Sequence, residues 1–143
     1  MEEKKNVGSL ISFHTQHKLL ILSHSPKHHQ MMGKLVAKAK ETPWKNLQEE
    51  YQGLLLEALF LKTTPKKNSN VLQHIMGYFK DRLSGDEKKE LLEVIDLYRQ
   101  ETVPLVVPIT LMNHYVRKYG QPYLEDQFYL HPHPMELQLR NHV

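Results

Sequence analysis

Apolar residues recur along most of the chain at the three-to-four-residue spacing of an amphipathic α-helix, and the alternation typical of a strand is rare. Ser9 is suited to cap a first helix that ends near Ser23. Ser25 followed by Pro26 predicts the cap and first residue of a second helix, which ends near Lys40. One side of the first helix is lined by Leu10, Phe13, His14, His17, Leu20, Ile21 and His24.

The middle of the chain predicts two more helices. One covers residues 44–61, where apolar positions return at helical spacing. The next follows the polar segment "TTPKKNSN", in which Asn68, Ser69 or Asn70 could provide the cap, and it ends near Leu83.

The last third of the chain predicts two helices and an irregular tail. Ser84 and Glu87 have the spacing of a capping box, so a fifth helix covers residues 86–99. A sixth helix opens at Pro108, and the preceding "VPLVV" could form a strand but has no evident partner. The tail, residues 121–143, is interrupted by prolines and predicts an arm with at most short helices.

Length and composition agree with one folded domain, because the chain has 143 residues, of which 40% are hydrophobic and 24% charged. We therefore predict an all-α fold, a single compact domain of about six helices in which residues 1–8 are flexible. The apolar runs "LLIL" and "LLLEALFL" are much shorter than the roughly 20 residues of a membrane span, and the N-terminal sequence lacks the apolar core of a signal peptide. These features predict a cytoplasmic protein with no membrane partner.

The chain contains no cysteine. It therefore cannot form a disulfide, a cysteine nucleophile, a thiolate zinc site or a cysteine-ligated iron–sulfur cluster. No other motif requires a cofactor, so none is expected.

Histidine is concentrated in the stretch "FHTQHKLLILSHSPKHH", which holds five of the ten histidines. His14 and His17 are spaced so that one helix face could offer two imidazoles to a metal ion. His24 lies about 10 Å further along the axis than His17 at 1.5 Å per residue, so it cannot complete the same site. A third ligand would have to come from elsewhere, such as His74 or His114.

The same histidines have a second interpretation as packing residues. Partly buried imidazoles often bond to neighbouring helices, and one side of the first helix offers that environment. Under this interpretation the histidines at positions 14, 17 and 24 order a helix seam, whereas His28 and His29 extend a basic edge with Lys27.

Acidic residues are absent from two long stretches. Residues 10–40 contain five lysines and five histidines but no aspartate or glutamate, and residues 58–80 contain four lysines and again no acid. On the second helix Lys27, Lys34 and Lys38 fall within about 40° of one another and form a lysine ridge. The acids concentrate in the fifth helix, so the net charge of +3 conceals a marked asymmetry. The lysine ridge is either a solvated surface or a contact for a phosphate-rich partner.

The fourth predicted helix carries an aromatic residue on its polar face. Its apolar face consists of Leu72, Ile75, Met76, Phe79 and Leu83, and the other face of His74, Gly77, Tyr78 and Asp81. Glycine inside a helix costs about 1 kcal/mol relative to alanine, so Gly77 indicates close approach by another backbone or by a ligand. Tyr78 could stack on a nucleobase, or a neighbouring helix or the C-terminal arm could cover it.

Five segments, in the same order, resemble the YbgA family, a bacterial domain of unknown function. They are "FHTQHKLLILSHSPKHH", "NVLQHIMGYFKDRL", "YRQETVPLVVPITLMNHYVRKY", "PYLEDQFYL" and "HPMELQLRN". The resemblance covers residues 10–141. In that family a tyrosine often follows Ser25-Pro26 at the position that His29 occupies here.

The resemblance implies a role near the sulfur chemistry of RNA. The YbgA-like domain occurs alone and also fused behind a cysteine-rich iron–sulfur domain similar to thiouracil desulfidases, which is associated with removing sulfur from 4-thiouridine in transfer RNA. The helical domain is then expected to hold the RNA. Because this chain has no cysteine, a separate iron–sulfur desulfidase chain would have to supply the cluster.

The leading hypothesis is therefore an RNA-binding accessory module that is directed at transfer RNA and is not catalytic by itself. The expected phosphate contacts are Lys27, Lys34, Lys38, Lys66 and Lys67. Lys18, His74 and Tyr78 lie in family-like segments and are expected to make contacts near a base or sugar.

Two other classes of protein stay open. An enzyme could use imidazoles of the helix seam for acid/base or metal chemistry. Its residues would be His14, His17 and His74, with Asp81 or Glu57 as carboxylate partner. A protein-interaction scaffold could instead use "YLHPHPMELQLRN" as a docking arm, and deleting residues 129–143 would then cost partner binding before stability.

Overall fold

A computed structural model describes residues 2–132, with side chains from Lys4 onward. Seven α-helices run through this part of the chain: α1 (Glu2–His24), α2 (Pro26–Ala37), α3 (Trp44–Phe60), α4 (Pro65–Met76), α5 (Gly85–Arg99), α6 (Val106–Tyr119) and α7 (Pro122–Glu125). Short 3₁₀ turns follow at Ala39–Glu41, Gly77–Phe79 and Phe128–Leu130. Residues 2–132 contain no strand, so the all-α prediction is confirmed, and no helix in that range is long and apolar enough to cross a membrane.

Helix α1 lies between two apolar clusters. On one side, Ile21 packs with Met32 of α2 and Tyr51 of α3. On another side, Leu19 and Leu22 join a larger cluster built from α4, α5, α6, α7 and the last 3₁₀ turn. A fully buried leucine or isoleucine contributes about 1.5–3 kcal/mol, so α1 is held in place by α2, α3 and α4 together.

Two caps are formed as the sequence predicts. The Oγ atom of Ser25 accepts a hydrogen bond from the backbone N–H of His28 at 3.1 Å, and Pro26 follows in the first turn of α2. At α5, Ser84 and Glu87 form both bonds of the capping box, at 2.9 and 3.1 Å. Both caps satisfy N–H groups that have no partner within their own helix.

The first two helices have different limits from those predicted. Helix α1 begins at Glu2, so residues 2–8 are helical and the prediction that Ser9 caps the helix is wrong. Glutamate and lysine before Ser9 are good helix formers, and their combined propensity outweighs the capping tendency of one serine. Helix α2 ends at Ala37, a little before the expected limit.

Helix α4 begins earlier than predicted. Thr64 is its cap and Pro65 holds its first position, the same arrangement as at the start of α2. The predicted caps Asn68 and Ser69 are instead buried inside the helix. The Nδ2 group of Asn68 donates to the hydroxyl of Tyr98 at 3.1 Å, which satisfies the buried amide.

The segment "VPLVV" is not a strand, because α6 already begins at Val106. Pro108 lies in the first turn, where its missing N–H costs no helical bond. Leu105 and Pro108 are both buried, so this segment inserts into the core as the start of a helix.

The C-terminal arm packs against the body of the protein as far as residue 132. Tyr129 and Leu130 are buried in the larger apolar cluster. Gln127 is fully buried, and its side chain bonds to the backbone of α1 at Thr15 and Leu19. The short helices of this segment agree with the prediction of an arm with little regular structure.

Candidate nucleic-acid interface

Helices α2 and α4 both pack against α1, and we name the surface of α1 between them the groove. It carries three basic side chains, one from each helix, that act on one another electrostatically. Lys18 of α1 is half-buried, His29 of α2 is half-buried, and His74 of α4 is exposed. Lys18 lies about 40° around α1 from His14 and about 40° from Leu22, which places it at the floor of the groove. Lys18, His29 and His74 form what we name the groove cluster.

The members of the groove cluster act on one another electrostatically. Burial, then His74, then Lys18 hold the pKa of His29 below its ordinary value. No carboxylate opposes this shift, because both acid-free stretches of the sequence contribute to the groove. Within residues 2–132, no member of the groove cluster makes a side-chain hydrogen bond or an ion pair.

His14 lies behind the groove cluster and is 1% exposed. Its Nδ1 atom is 3.0 Å from the hydroxyl of Tyr51 on α3. Burial, then Lys18, His29 and His17, lower the pKa of His14 to about 4, so the ring is neutral near pH 7. Burial raises the pKa of Tyr51, so its hydroxyl stays protonated and can donate to or accept from Nδ1, according to the tautomer of the ring. The Nε2 atom has no partner among the described residues.

The remaining histidines of α1 have local partners. His17 stacks between Phe13 and Phe128, with ring centroids 4.0 and 4.4 Å away. The Nδ1 atom of His24 lies 2.7 Å from the backbone oxygen of Leu61. Both imidazoles therefore order the packing of α1 against its neighbours, as the seam interpretation expects.

His28 and His29 do not form the basic edge that the sequence suggests. They point about 100° apart on α2, His28 toward α3 and His29 into the groove. The Nδ1 atom of His28 lies 2.7 Å from Ser25 Oγ, and its Nε2 atom lies 3.0 Å from Glu57 Oε2. His28 thus links α2 to α3 beside a carboxylate, whereas Lys27 stays exposed.

The histidines proposed for metal binding or acid/base chemistry do not form a common site within residues 2–132. Residues 2–132 contain no group of three or more histidine, cysteine, aspartate or glutamate side chains that could hold a metal ion. Each of the three imidazoles has a different contact: His14 bonds to Tyr51, His17 stacks on phenylalanines, and His74 acts on His29. A cleft of about 730 Å³ beside Trp44 has no histidine among its lining residues.

The lysine ridge is the outer surface of α2. Lys27, Lys34 and Lys38 are exposed, and none of their ammonium groups forms an ion pair within residues 2–132. Lys27 and Lys34 lie about 140–160° around α2 from His29, and Lys38 is the C-cap residue that follows the helix. The predicted contact residues are therefore divided between this ridge and the groove cluster.

Lys66 and Lys67 have different surroundings although they are adjacent. Lys66 is exposed on α4. The ammonium group of Lys67 donates to the backbone oxygens of His24 at 2.8 Å and Lys62 at 2.9 Å. Lys67 thus satisfies a carbonyl at the C-terminal end of α1, where a cation is favoured by the helix dipole. Its charge is already engaged in holding α4 to α1.

Tyr78 forms a stacked pair with Tyr123 of α7, with ring centroids 5.1 Å apart and planes 25° apart. Tyr78 remains 40% exposed, so the C-terminal arm supports one face of the ring without covering it. Tyr78 lies in the 3₁₀ turn Gly77–Phe79 that follows α4, four residues after His74. At Gly77 no described atom lies within 4 Å of the position a Cβ would take, so no described residue makes the expected close approach there.

The sequence predictions do not include His29 and Tyr123 among the contact residues. His29 has one signal, the difference from the tyrosine that the resembling family often carries at this position. Tyr123 has none, because its contact with Tyr78 joins residues that are far apart in the sequence.

Only the first part of the proposed docking arm lies within the residues that the structure describes, and that part is packed in the core. Tyr129 and Leu130, the first residues of "YLHPHPMELQLRN", are 0% and 1% exposed and belong to the core. Residues 133–143 lie outside the part of the chain that the structure describes. Deletion from Tyr129 onward would therefore cost stability first.

The fold and this surface define an all-helical domain with a basic groove rich in histidine. Residues 18–134 match the family described as "Protein of unknown function (DUF1722)". The chain is also 31% identical over 137 residues to "Uncharacterized protein YbgA" of Escherichia coli strain K12, an alignment that covers 94% of this chain and 80% of that protein. The chain therefore belongs to the YbgA family, as the five segments suggest. No solved structure matches it.

Proposed function

We propose that the protein binds RNA, with transfer RNA as its target class, and acts as an accessory module rather than as a catalyst. The observation that carries this proposal is the separation of charge. Lysines 27, 34 and 38 are exposed and unpaired within the described range, and acids are concentrated on α5. An exposed cationic surface whose ammonium groups are not engaged in ion pairs is the electrostatic footprint of a phosphate-binding protein.

The tyrosine pair supports RNA as the partner. Single-stranded RNA exposes base faces, and proteins hold them by stacking on aromatic side chains. Tyr78 offers an exposed face, and Tyr123 holds the ring in place from behind. A base on Tyr78 would place its backbone phosphates near the groove cluster.

The link to 4-thiouridine comes from the family. Members fused to a cysteine-rich iron–sulfur domain are associated with desulfuration of transfer RNA, and this chain has no cysteine with which to ligate such a cluster. We propose that it presents the RNA to a separate desulfidase chain.

The test is a charge reversal with a matched control. Lys34→Glu combined with Lys38→Glu should weaken binding to transfer RNA at least tenfold, because phosphate contacts are replaced by repulsion. Lys88→Glu with Lys89→Glu makes the same change of charge on α5 and should have a much smaller effect. Circular dichroism and urea unfolding confirm that each variant is folded. Equal binding by the two double variants would remove the lysine ridge from the account.

A further inference from the structure

The groove cluster brings together three basic groups without a counter-charge. Lys18 comes from α1, His29 from α2 and His74 from α4, and none of them is paired within residues 2–132. Basic groups gathered without a carboxylate repel one another when they are charged, and a bound anion relieves that repulsion. The groove cluster therefore offers an uncompensated positive charge to an anion from outside the chain.

The groups around His29 are all basic or neutral. His74 faces it from α4, and Lys18 and His14 face it from α1. The carboxylate nearest to α2 on α3, Glu57, is bonded to His28 on a different side of the helix. No acid therefore competes with an incoming anion for His29.

An oxyanion matches this arrangement in charge and in hydrogen bonding. A lysine ammonium offers three donors and each protonated imidazole two, while a phosphate group offers only acceptors. A tetrahedral anion is therefore the ligand class that matches the groove cluster.

We propose that the groove cluster binds a single phosphate group between Lys18, His29 and His74, and that His29 takes up a proton as the phosphate binds. The proposal rests on the proposed function in one respect, because it takes an RNA phosphate as the source of the group. The lowered pKa of His29 in the free protein has the direction this requires, since a bound anion would reverse the repulsion from His74 and Lys18.

Proton uptake makes binding depend on pH in a defined direction. His29 is mostly neutral near pH 7 in the free protein, so it must gain a proton before it can pair with phosphate. Binding should therefore strengthen as pH falls. One proton taken up changes affinity by about tenfold per pH unit between the free and bound pKa values.

The first measurement uses the unmodified protein and inorganic phosphate. Titration of the histidine ring protons by NMR should show the pKa of His29 rising when phosphate replaces chloride at equal ionic strength. The signals are assigned with His29→Asn and His74→Asn. An unchanged His29 titration would overturn the site.

The second measurement uses transfer RNA at pH 6 and pH 8. The unmodified protein should bind about 10- to 100-fold more tightly at pH 6, because one proton taken up changes affinity by up to about tenfold in each of the two pH units. His29→Asn should lose most of this difference. His114→Asn, which replaces an exposed histidine on α6, should retain it.

The outcomes separate this inference from the proposed function. RNA binding that does not depend on pH would overturn the phosphate site and leave the RNA module standing. A His29 shift with inorganic phosphate, together with no RNA binding at either pH, would support the site and identify free phosphate, not RNA, as the source of its ligand. Failure of both measurements would overturn both proposals.

Discussion

The Nε2 atom of Gln127 lies 2.6 Å from the backbone oxygen of Thr15, and its Oε1 atom lies 3.4 Å from the backbone nitrogen of Leu19. In an uninterrupted α-helix these two backbone groups would bond to each other. A fully buried amide from the C-terminal arm therefore bridges one turn of α1.

The first prediction follows from this contact. Gln127→Ala should lower the free energy of unfolding by about 1–3 kcal/mol, because it removes a fully buried side chain together with its bonds to α1. Urea unfolding measures the loss. Asp126→Ala, a change at the exposed neighbour, should alter stability by about 0.5 kcal/mol or less. Equal stability of the two variants would show that Gln127 does not hold the arm.

Stability should fall in mildly acidic solution because His14 is buried as a neutral ring. Its pKa is about 4 in the folded protein and 6.5 when unfolded, so the unfolded state binds more protons between these values. The stabilisation is complete above pH 6.5 and decreases toward pH 4, by about 3 kcal/mol in total. His29 contributes in the same direction.

Urea unfolding at a series of pH values from 7.5 to 4 measures this effect. The variant His14→Gln should be less stable at pH 7.5 but should show a flatter dependence on pH. A slope that is unchanged in His14→Gln would assign the acid sensitivity to other groups.

Two adjacent lysines should separate stability from binding. Lys67→Met removes an ammonium group that bonds to the carbonyls of His24 and Lys62, so it should lower unfolding free energy by about 1–2 kcal/mol and leave the salt dependence of RNA binding unchanged. Lys66→Met should preserve stability and reduce the slope of log affinity against log salt by roughly one. The reverse pattern would contradict the assignment of Lys67 to the helix end.

Tyr78 should matter for RNA through its ring. Tyr78→Ala is expected to weaken binding by about 1–3 kcal/mol, the usual value of one base stacked on an aromatic side chain. Tyr78→Phe keeps the stacking surface and should bind nearly as well as the unmodified protein. If both variants lose affinity equally, the hydroxyl and not the ring face makes the contact.

Local signals in the sequence predict the helices but not their meeting points. The cap at Ser25 and the capping box at Ser84 follow from short-range chemistry, and both are formed. Thr64 carries the same signal as Ser25. Asn68 looks like a turn residue in the sequence because it is polar. Its buried position in α4 is explained by hydrogen bonds to Tyr98 and Tyr129, which are far away in the sequence.

The candidate site shows the same limit. A helical wheel places Lys18 on a particular side of α1, but it does not tell which other helices pack there. The groove cluster exists because α2 and α4 both contact α1. The bond between Lys67 and the end of α1 likewise depends on tertiary packing. From the sequence alone, Lys67 is therefore predicted to be a phosphate contact like the exposed lysines.

The most direct test of the account is the affinity of the purified, nuclease-treated protein for bulk transfer RNA across a salt series, with double-stranded DNA of matched length as competitor. We predict binding with a dissociation constant in the micromolar range or tighter, a steep loss of affinity with salt, and a preference for transfer RNA. Absence of binding at low salt, or equal competition by the DNA, would contradict it.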